Sequence, residues 1–449
     1  MKIVFLEQFL KNQLWNGRTM REIKGLSGTH TAGIFLAEAL VTFGHEVTYY
    51  SKTILQETYK GVKYMNADVV ETMDADIIFM TFNIMDFKMI YDRFDYLKKR
   101  VPLIAIMHTD FRLMTDDIPA DKNINAIAQP LIQPLTKKDV DIIQLCNNAA
   151  LNATYLNCLS IQFEKTIIPN CIDINELAAP RFPKDNAFVF FPCVERGYNI
   201  AVEILNHFPD FIMYCNTYSD EYRHKMTNTN QTVKVSNTSK NNIYSVLSKS
   251  KYFVYPLFNT ENQMIHCDTF GYVVLEALLH GVVVIAPPME VFKELYGDAI
   301  CYIDCDIPSH YLTYGYQQYE PFGYPLIPEY VKKIEWLENH PKEYQQYINK
   351  GFDLKHRFSK EAIGANVNDY ITHIYNQKKN ILRPQNMEKT IDDLQEKISD
   401  KELESNIKIQ MLELEIFKQN ERIIQLEMEL EMKLERNKEP ELVETPYLL

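Results

Sequence analysis

Short, nearly uninterrupted apolar runs alternate with segments of helical spacing along most of the chain. The first set is KIVFLEQ (2–8), EVTYYS (46–51), DADIIFMTF (74–82), VPLIAIMH (101–108), VDIIQLC (140–146) and KTIIPN (165–170). Continuous runs of this kind suit strands buried on both faces. Between the first two, TAGIFLAEALVTFG places apolar residues at 34, 37, 40 and 41, a helical spacing. Strand, helix and strand in succession predict a parallel sheet with helices on its faces.

LAAPRFPKDN (177–186) carries two prolines and reads as a linker. The pattern then restarts with AFVFFPC (187–193), DFIMYCN (210–216), TVKVSN (232–237), KYFVYP (251–256), VVVIAPP (282–288) and AICYID (299–304). Two doubly wound halves joined by a hinge imply a cleft, and such sheets bind ligands beyond the carboxyl ends of their strands. The chain reads as helical from about 327 to 380 and breaks at RPQN (383–386). Beyond the break, Met387, Ile391, Leu394 and Ile398, then Ile409, Leu412, Ile416, Ile423, Leu426 and Leu430, follow a 3-4 spacing with a stutter between the sets. A coiled coil is expected, with Gln419 and Lys433 in its seam. A charged helix folded back on the body is the alternative.

Composition changes this picture little. The 449 residues are 46% hydrophobic and 24% charged, ordinary for a globular core. The net charge is −13, but residues 387–449 hold 17 acids and 9 bases, so the body is only mildly acidic. With no long basic cluster, nucleic-acid binding is disfavoured. The eight cysteines are scattered without a CxxC, which points to reduced core thiols rather than zinc. No apolar stretch has the length of a membrane span, and the N-terminus lacks a signal-peptide core, so cytoplasmic residence is expected.

The candidate chemistry lies in HCDTFGYVVLEALLHG (266–281). Asp268 precedes a Phe-Gly pair, and Glu276 sits eight residues on in an apolar run. A helix starting near Gly271 would put Asp268 on the preceding loop and Glu276 about one turn in. Free N–H groups and the positive dipole end at a helix start suit a diphosphate, while flanking carboxylates would accept hydrogen bonds from hydroxyls. A nucleotide-sugar carries both. Spacing alone fits equally an N-cap Asp and a solvent-facing Glu.

The segment DTFGYVVLEALLHGVVVIAPPMEVFKELYGDAICYID resembles the donor-binding segment of family 4 retaining glycosyltransferases, which have the GT-B fold. That pattern has Glu, seven residues, Glu, with Phe-Gly after the first acid. Here Asp268 replaces the first Glu, while Phe270, Gly271 and Glu276 are kept. The resemblance implies that Asp268 contacts the donor sugar and Glu276 the ribose. LSGTHTAGIFLAEALVTFGHEVTYYS is similar to the family's Gly-rich loop and first helix, with Ser27-Gly28 in place of Gly-Gly. VPLIAIMHTDF matches a strand ending in a His beside the reaction centre, here His108. IIPNCIDINEL resembles the family's IPNGVD turn, with Cys171 for Gly and with Asn170 and Asp173 as turn residues. RFSKEAIG resembles its closing helix, which braces the first domain.

One departure bears on activity. In FVFFPCVERGYNIAVEIL, Arg196 stands at the position of the diphosphate-gripping Lys, but no Arg occupies the earlier position. Arg196 must act alone, or a base such as Lys249, Lys251 or Lys293 must substitute. The pairs Asp74/Asp76 and Asp304/Asp306 read as strand-end residues, so no metal site is expected.

Together these readings predict an α/β GT-B architecture, two doubly wound Rossmann-like domains facing across a cleft, plus a C-terminal coiled-coil helix. The expected divisions are 1–178 (acceptor side), 179–365 (nucleotide-sugar side), 366–382 (a helix returning to the first domain), 387–437 (coiled coil) and 438–449 (tail). The expected activity is hexose transfer, with retention, from a UDP- or GDP-sugar donor to a hydroxyl acceptor, without cofactor or metal. His108 and Asp268 are the expected catalytic residues, and Ser27, Gly28, Arg196, Phe270, Gly271 and Glu276 the donor-binding ones. A homo-oligomer is expected through the coiled coil. The missing Arg keeps open a weak or inactive binding and assembly protein, and the fold keeps open a sugar-nucleotide epimerase.

Overall fold

A computed structural model describes residues 1–7, 14–51, 54–66, 75–82, 103–107, 140–145, 165–216, 229–235, 238–259, 264–265, 268, 270–305 and 326–381. Strands β1 (Lys2–Glu7), β2 (Glu46–Ser51), β3 (Glu57–Tyr59), β4 (Val62–Asn66), β5 (Ile77–Phe82), β6 (Leu103–Met107), β7 (Val140–Leu145) and β8 (Lys165–Ile168) form one sheet, ordered β3-β4-β2-β1-β5-β6-β7-β8. Its pairings are parallel except for the β3–β4 hairpin. That hairpin is absent from the sequence expectation. Its turn is Lys60-Gly61, both at positive φ (48° and 79°), as a two-residue hairpin turn requires. Lys in place of the usual Asn or Asp concealed the signal.

β9 (Asp185–Phe190), β10 (Ile212–Cys215), β11 (Thr232–Lys234), β12 (Ser250–Val254), β15 (Val283–Ala286) and β16 (Cys301–Tyr302) form a second, all-parallel sheet, ordered β11-β10-β9-β12-β15-β16. The short pair β13 (Phe258–Asn259) and β14 (Met264–Ile265) lies in the loop after β12. Phe188, Val189, Phe190, Tyr252, Phe253, Val254 and all of β15 are buried, as strands covered on both faces must be.

Helix α1 (Gly28–Thr42) follows β1 and is buried from His30 through Leu40, so it is apolar nearly all round rather than on one stripe. The second sheet is served by α2 (Tyr198–Leu205), α3 (Lys240–Lys249), α4 (Tyr272–Leu279) and α5 (Glu290–Tyr296). Three more helices, α6 (Leu326–Asn339), α7 (Pro341–Asp353) and α8 (Lys360–Ile381), close the described chain. α7 packs closely on α4, since a Cβ on Gly351 would lie 2.8 Å from the Leu278 carbonyl. α8 reaches the first half: a Cβ on Gly364 would meet Phe43 and Ala39, and His45 Nε2 lies 2.8 Å from Asn368 Oδ1.

The backbone passes between the sheets twice, side by side. Ile172 N donates to Phe358 O at 2.9 Å, and Lys360 N to Ile172 O at 3.0 Å. Around this crossing three bases and three acids interlock. Arg21 donates to Glu38 (2.7 and 2.8 Å) and Glu176 (2.6 Å). Lys60 bonds Glu176 and lies 3.2 Å from Asp173, and Lys360 lies 2.5 Å from Asp173 and 3.5 Å from Glu38. Asp173, expected as a turn residue, does accept Asn175 N at 3.1 Å, but also joins this network. Cys171 needs no left-handed φ, since among described non-glycine residues only Lys60 and Leu257 have one. The coiled-coil region 387–437 lies outside the described residues.

Candidate active site

In the second sheet the strand order reverses between β9 and β12, which is where open α/β sheets gather ligands. The chain leaves the carboxyl end of β9 through a short 3-10 turn, Val194–Arg196, and leaves that of β12 at Tyr255. Adjacent parallel strands therefore deliver Arg196 and Tyr255 to one place, fixed by Leu257 N donating to Arg196 O at 3.0 Å. Gly197, at φ 101°, turns the chain from there into α2.

Asp268 joins them from the loop after β12. Arg196 Nη1 bonds Asp268 Oδ1 and donates to Tyr255 OH at 2.8 Å, while Tyr255 OH donates to Asp268 Oδ2 at 2.5 Å. Phe270 is a core anchor rather than a wall of the cleft. It packs on Tyr272, Tyr296 and Phe358, and its carbonyl accepts Tyr296 OH at 2.6 Å. Gly271 then caps α4 at φ 74°, and a Cβ there would lie 3.2 Å from Phe292 and 3.3 Å from Asp268 Oδ2. Only glycine meets both demands cheaply.

Glu276 lies one turn into α4 and is 2% exposed. Lys240 Nζ bonds its Oε1, and Tyr244 OH donates to the same oxygen at 3.2 Å. Side chains on a helix tilt toward its N-terminus, so this carboxylate reaches back along the first turn of α4. Lys240 Nζ lies 5.8 Å from the ring centroid of Tyr272, the residue that opens α4.

The first half meets this cluster through the loop before α1. Gly25 N donates to Thr238 Oγ1 at 2.8 Å. Ser27 takes the N-cap position of α1, with its Oγ 2.5 Å from His30 Nδ1. A Cβ on Gly28 would lie 3.7 Å from Tyr272 Cδ2. Ser27-Gly28, Lys240 and the start of α4 thus converge. His108 lies outside the described residues, as do Asp74 and Asp306; β6 ends one residue before His108.

Lys249 and Lys251 do not supply the second cation. They flank the amino end of β12, opposite the site, with Lys251 held by Glu338 at 2.6 Å and Lys249 against the Tyr214 ring. Lys293 sits on α5. Among the described residues, the structure brings Lys240 to Glu276, a basic residue that sequence reasoning missed.

The hinge acids Glu38, Asp173 and Glu176 bring carboxylate oxygens within 4.8 Å of one another, as metal ligands do. Arg21, Lys60 and Lys360 already balance their charge. Burial pushes the Glu38 carboxyl up despite Arg21 and Lys360. For Asp173 burial also pushes up, but Lys360 and Lys60 outweigh it and hold the carboxyl below its usual range.

No known protein-family profile matches the sequence, and no curated protein matches it. Solved structures do. Sucrose-phosphate synthase from Thermosynechococcus elongatus superposes with a TM-score of 0.59 at 12% identity, over 84% of this chain and 100% of that one. Anabaena HepE, solved in complex with UDP and glucose, gives 0.56 at 12% identity, over 83% and 99%. WaaG, a glycosyltransferase involved in lipopolysaccharide biosynthesis, gives 0.54 at 12% identity, over 82% and 99%. The class defined by fold is therefore GT-B: this chain has the α/β fold of these glycosyltransferases. Among the described residues no helix is long and apolar enough to cross a membrane.

Proposed function

We propose that this protein is a retaining glycosyltransferase that moves a hexose from a UDP- or GDP-sugar to a hydroxyl acceptor. One observation carries the reading. In a fold shared with a protein solved with UDP and glucose, Arg196, Asp268 and Glu276 gather at a strand-order reversal and at the start of α4. Arg196 holds the diphosphate with the amides opening α4, Glu276 takes the ribose hydroxyls, and Asp268 takes those of the donor sugar. Ser27-Gly28 approaches the diphosphate from the facing half. By the family resemblance, His108 is assigned to the reaction centre. Positive charge aimed at the departing diphosphate replaces the help of a divalent ion.

Calorimetry with UDP, GDP and their sugars tests this directly. Binding is expected for one nucleotide series and lost in Glu276→Ala; unchanged binding in that variant contradicts the reading. Nuclear magnetic resonance of the first-formed product should show the donor's anomeric configuration, and chelator should leave the rate unaltered. A second reading, a binding protein without transfer activity, draws on the bond that already ties Arg196 to Asp268. Slow release of free sugar from the donor separates the two. Residence in the cytoplasm and assembly through 387–437 belong to the same proposal; removing 386–449 should lower the oligomeric state in sedimentation.

A further inference from the structure

Each acid of the site is already bonded to a cation and a tyrosine. Arg196 and Tyr255 hold Asp268; Lys240 and Tyr244 hold Glu276. The two sets come from the same half and both reach the start of α4, Asp268 beside Gly271 and Lys240 beside Tyr272. The second is nearly closed to water, with the Lys240 side chain 11% exposed and that of Glu276 2%. Burial pushes both phenols up, so Tyr244 and Tyr255 remain protonated donors at neutral pH.

A buried ion pair is robust to losing both partners and intolerant of losing one, because the remaining charge is left uncompensated. A lone anion that captured Lys240 would strand Glu276. A lone diol that captured Glu276 would strand Lys240. A ligand that brings an anion and alcohols together satisfies all four charged groups at once.

We propose that the donor enters by ion-pair exchange: its diphosphate takes Arg196 and Lys240 while its hydroxyls take Asp268 and Glu276. Lys240 is then the second diphosphate cation, and the paired ground state is a filter against phosphate-only and sugar-only ligands. This rests on the glycosyltransferase reading, which supplies the ligand, but the filter makes its own prediction. The position of Lys240 fits the role. It lies beside Tyr272 at the first turn of α4, and Thr238, two residues before it, docks on the loop leading to Ser27-Gly28.

Calorimetry of the full chain with UDP, GDP and inorganic pyrophosphate decides it. The wild type should bind the nucleoside diphosphate about a hundredfold tighter than pyrophosphate, from charge-assisted contacts made only by the former. Glu276→Gln releases Lys240, so pyrophosphate should bind about tenfold tighter while the nucleoside diphosphate binds about tenfold weaker. Asp268→Asn, on a loop rather than in a packed helix, frees Arg196, so pyrophosphate should likewise bind about tenfold tighter, and it stands in if Glu276→Gln fails to fold. The nucleoside diphosphate, which lacks the sugar that Asp268 takes, should not weaken in that variant. Lys240→Met should weaken both by about tenfold. If the acid variants leave pyrophosphate affinity unchanged or lower it while the wild type binds UDP or GDP, the exchange is wrong and the transferase reading stands. If the wild type binds neither nucleotide, both fall.

Discussion

The hinge and the cleft are built from the same chemistry and differ in connectivity. At the hinge, Arg21 serves Glu38 and Glu176, Lys360 serves Asp173 and Glu38, and Lys60 serves Asp173 and Glu176. Every member has two opposite charges, and the members come from both ends of the chain. In the cleft, among the described residues, Arg196 and Tyr255 hold Asp268, and Lys240 and Tyr244 hold Glu276. In a doubly linked network no member can leave without breaking two ion pairs. A single pair can be exchanged for a ligand's groups. The hinge is thus suited to hold the halves, and the cleft to release its own contacts.

The largest expected effect breaks the hinge. Glu38→Ala leaves Arg21 with Glu176 and Lys360 with Asp173, but three cations then face two acids. One buried positive charge goes uncompensated, which should lower the unfolding free energy by about 3–5 kcal/mol in urea titration. Arg196→Ala, at the cleft, should lower kcat by about 10²–10³ through lost stabilisation of the leaving diphosphate. Its midpoint of unfolding should move far less than that of Glu38→Ala, since Asp268 keeps Tyr255 and partial contact with water. Equal stability losses in the two variants would erase the distinction.

A third measurement uses pH. His280, at the end of α4, is wholly buried: its Nδ1 lies 2.6 Å from the Glu276 carbonyl and its Nε2 accepts Ala178 N at 3.2 Å. Burial pushes the imidazole from 6.5 down to about 4. With the folded value below the unfolded one, its contribution is whole above pH 6.5 and drains away as pH falls toward 4. Roughly 3 kcal/mol of stability should disappear across that window, and His280→Gln should flatten the slope. The smallest effect is expected for Lys60→Gly. It relieves a left-handed backbone by about 1–2 kcal/mol and forfeits half-exposed ion pairs worth about 0–1 kcal/mol, so stability should change by no more than about 1–2 kcal/mol.

Much of the fold was legible because its strands are continuous apolar runs, and β9, β12 and β15 lie within one to three residues of the expected positions. The acid pair was legible through Phe270-Gly271 and the helix that follows. The β3–β4 hairpin was hidden because Lys60 occupies a turn position that usually advertises itself with Asn or Asp. Lys240 was hidden for another reason: it reaches Glu276 across 36 residues, and no local pattern encodes that partnership. The hinge network spans still more, from Arg21 to Lys360, so its members look like ordinary surface charges until the chain is folded.

The two backbone passages joined at Ile172 and Phe358–Lys360 carry a mechanical corollary. A single tether lets two bodies swivel freely, whereas a pair of tethers laced together behaves like a flat strap that bends but resists torsion. Any breathing of this molecule should accordingly follow one axis, so that the loop bearing Ser27 and the head of α4 part and rejoin in register each time.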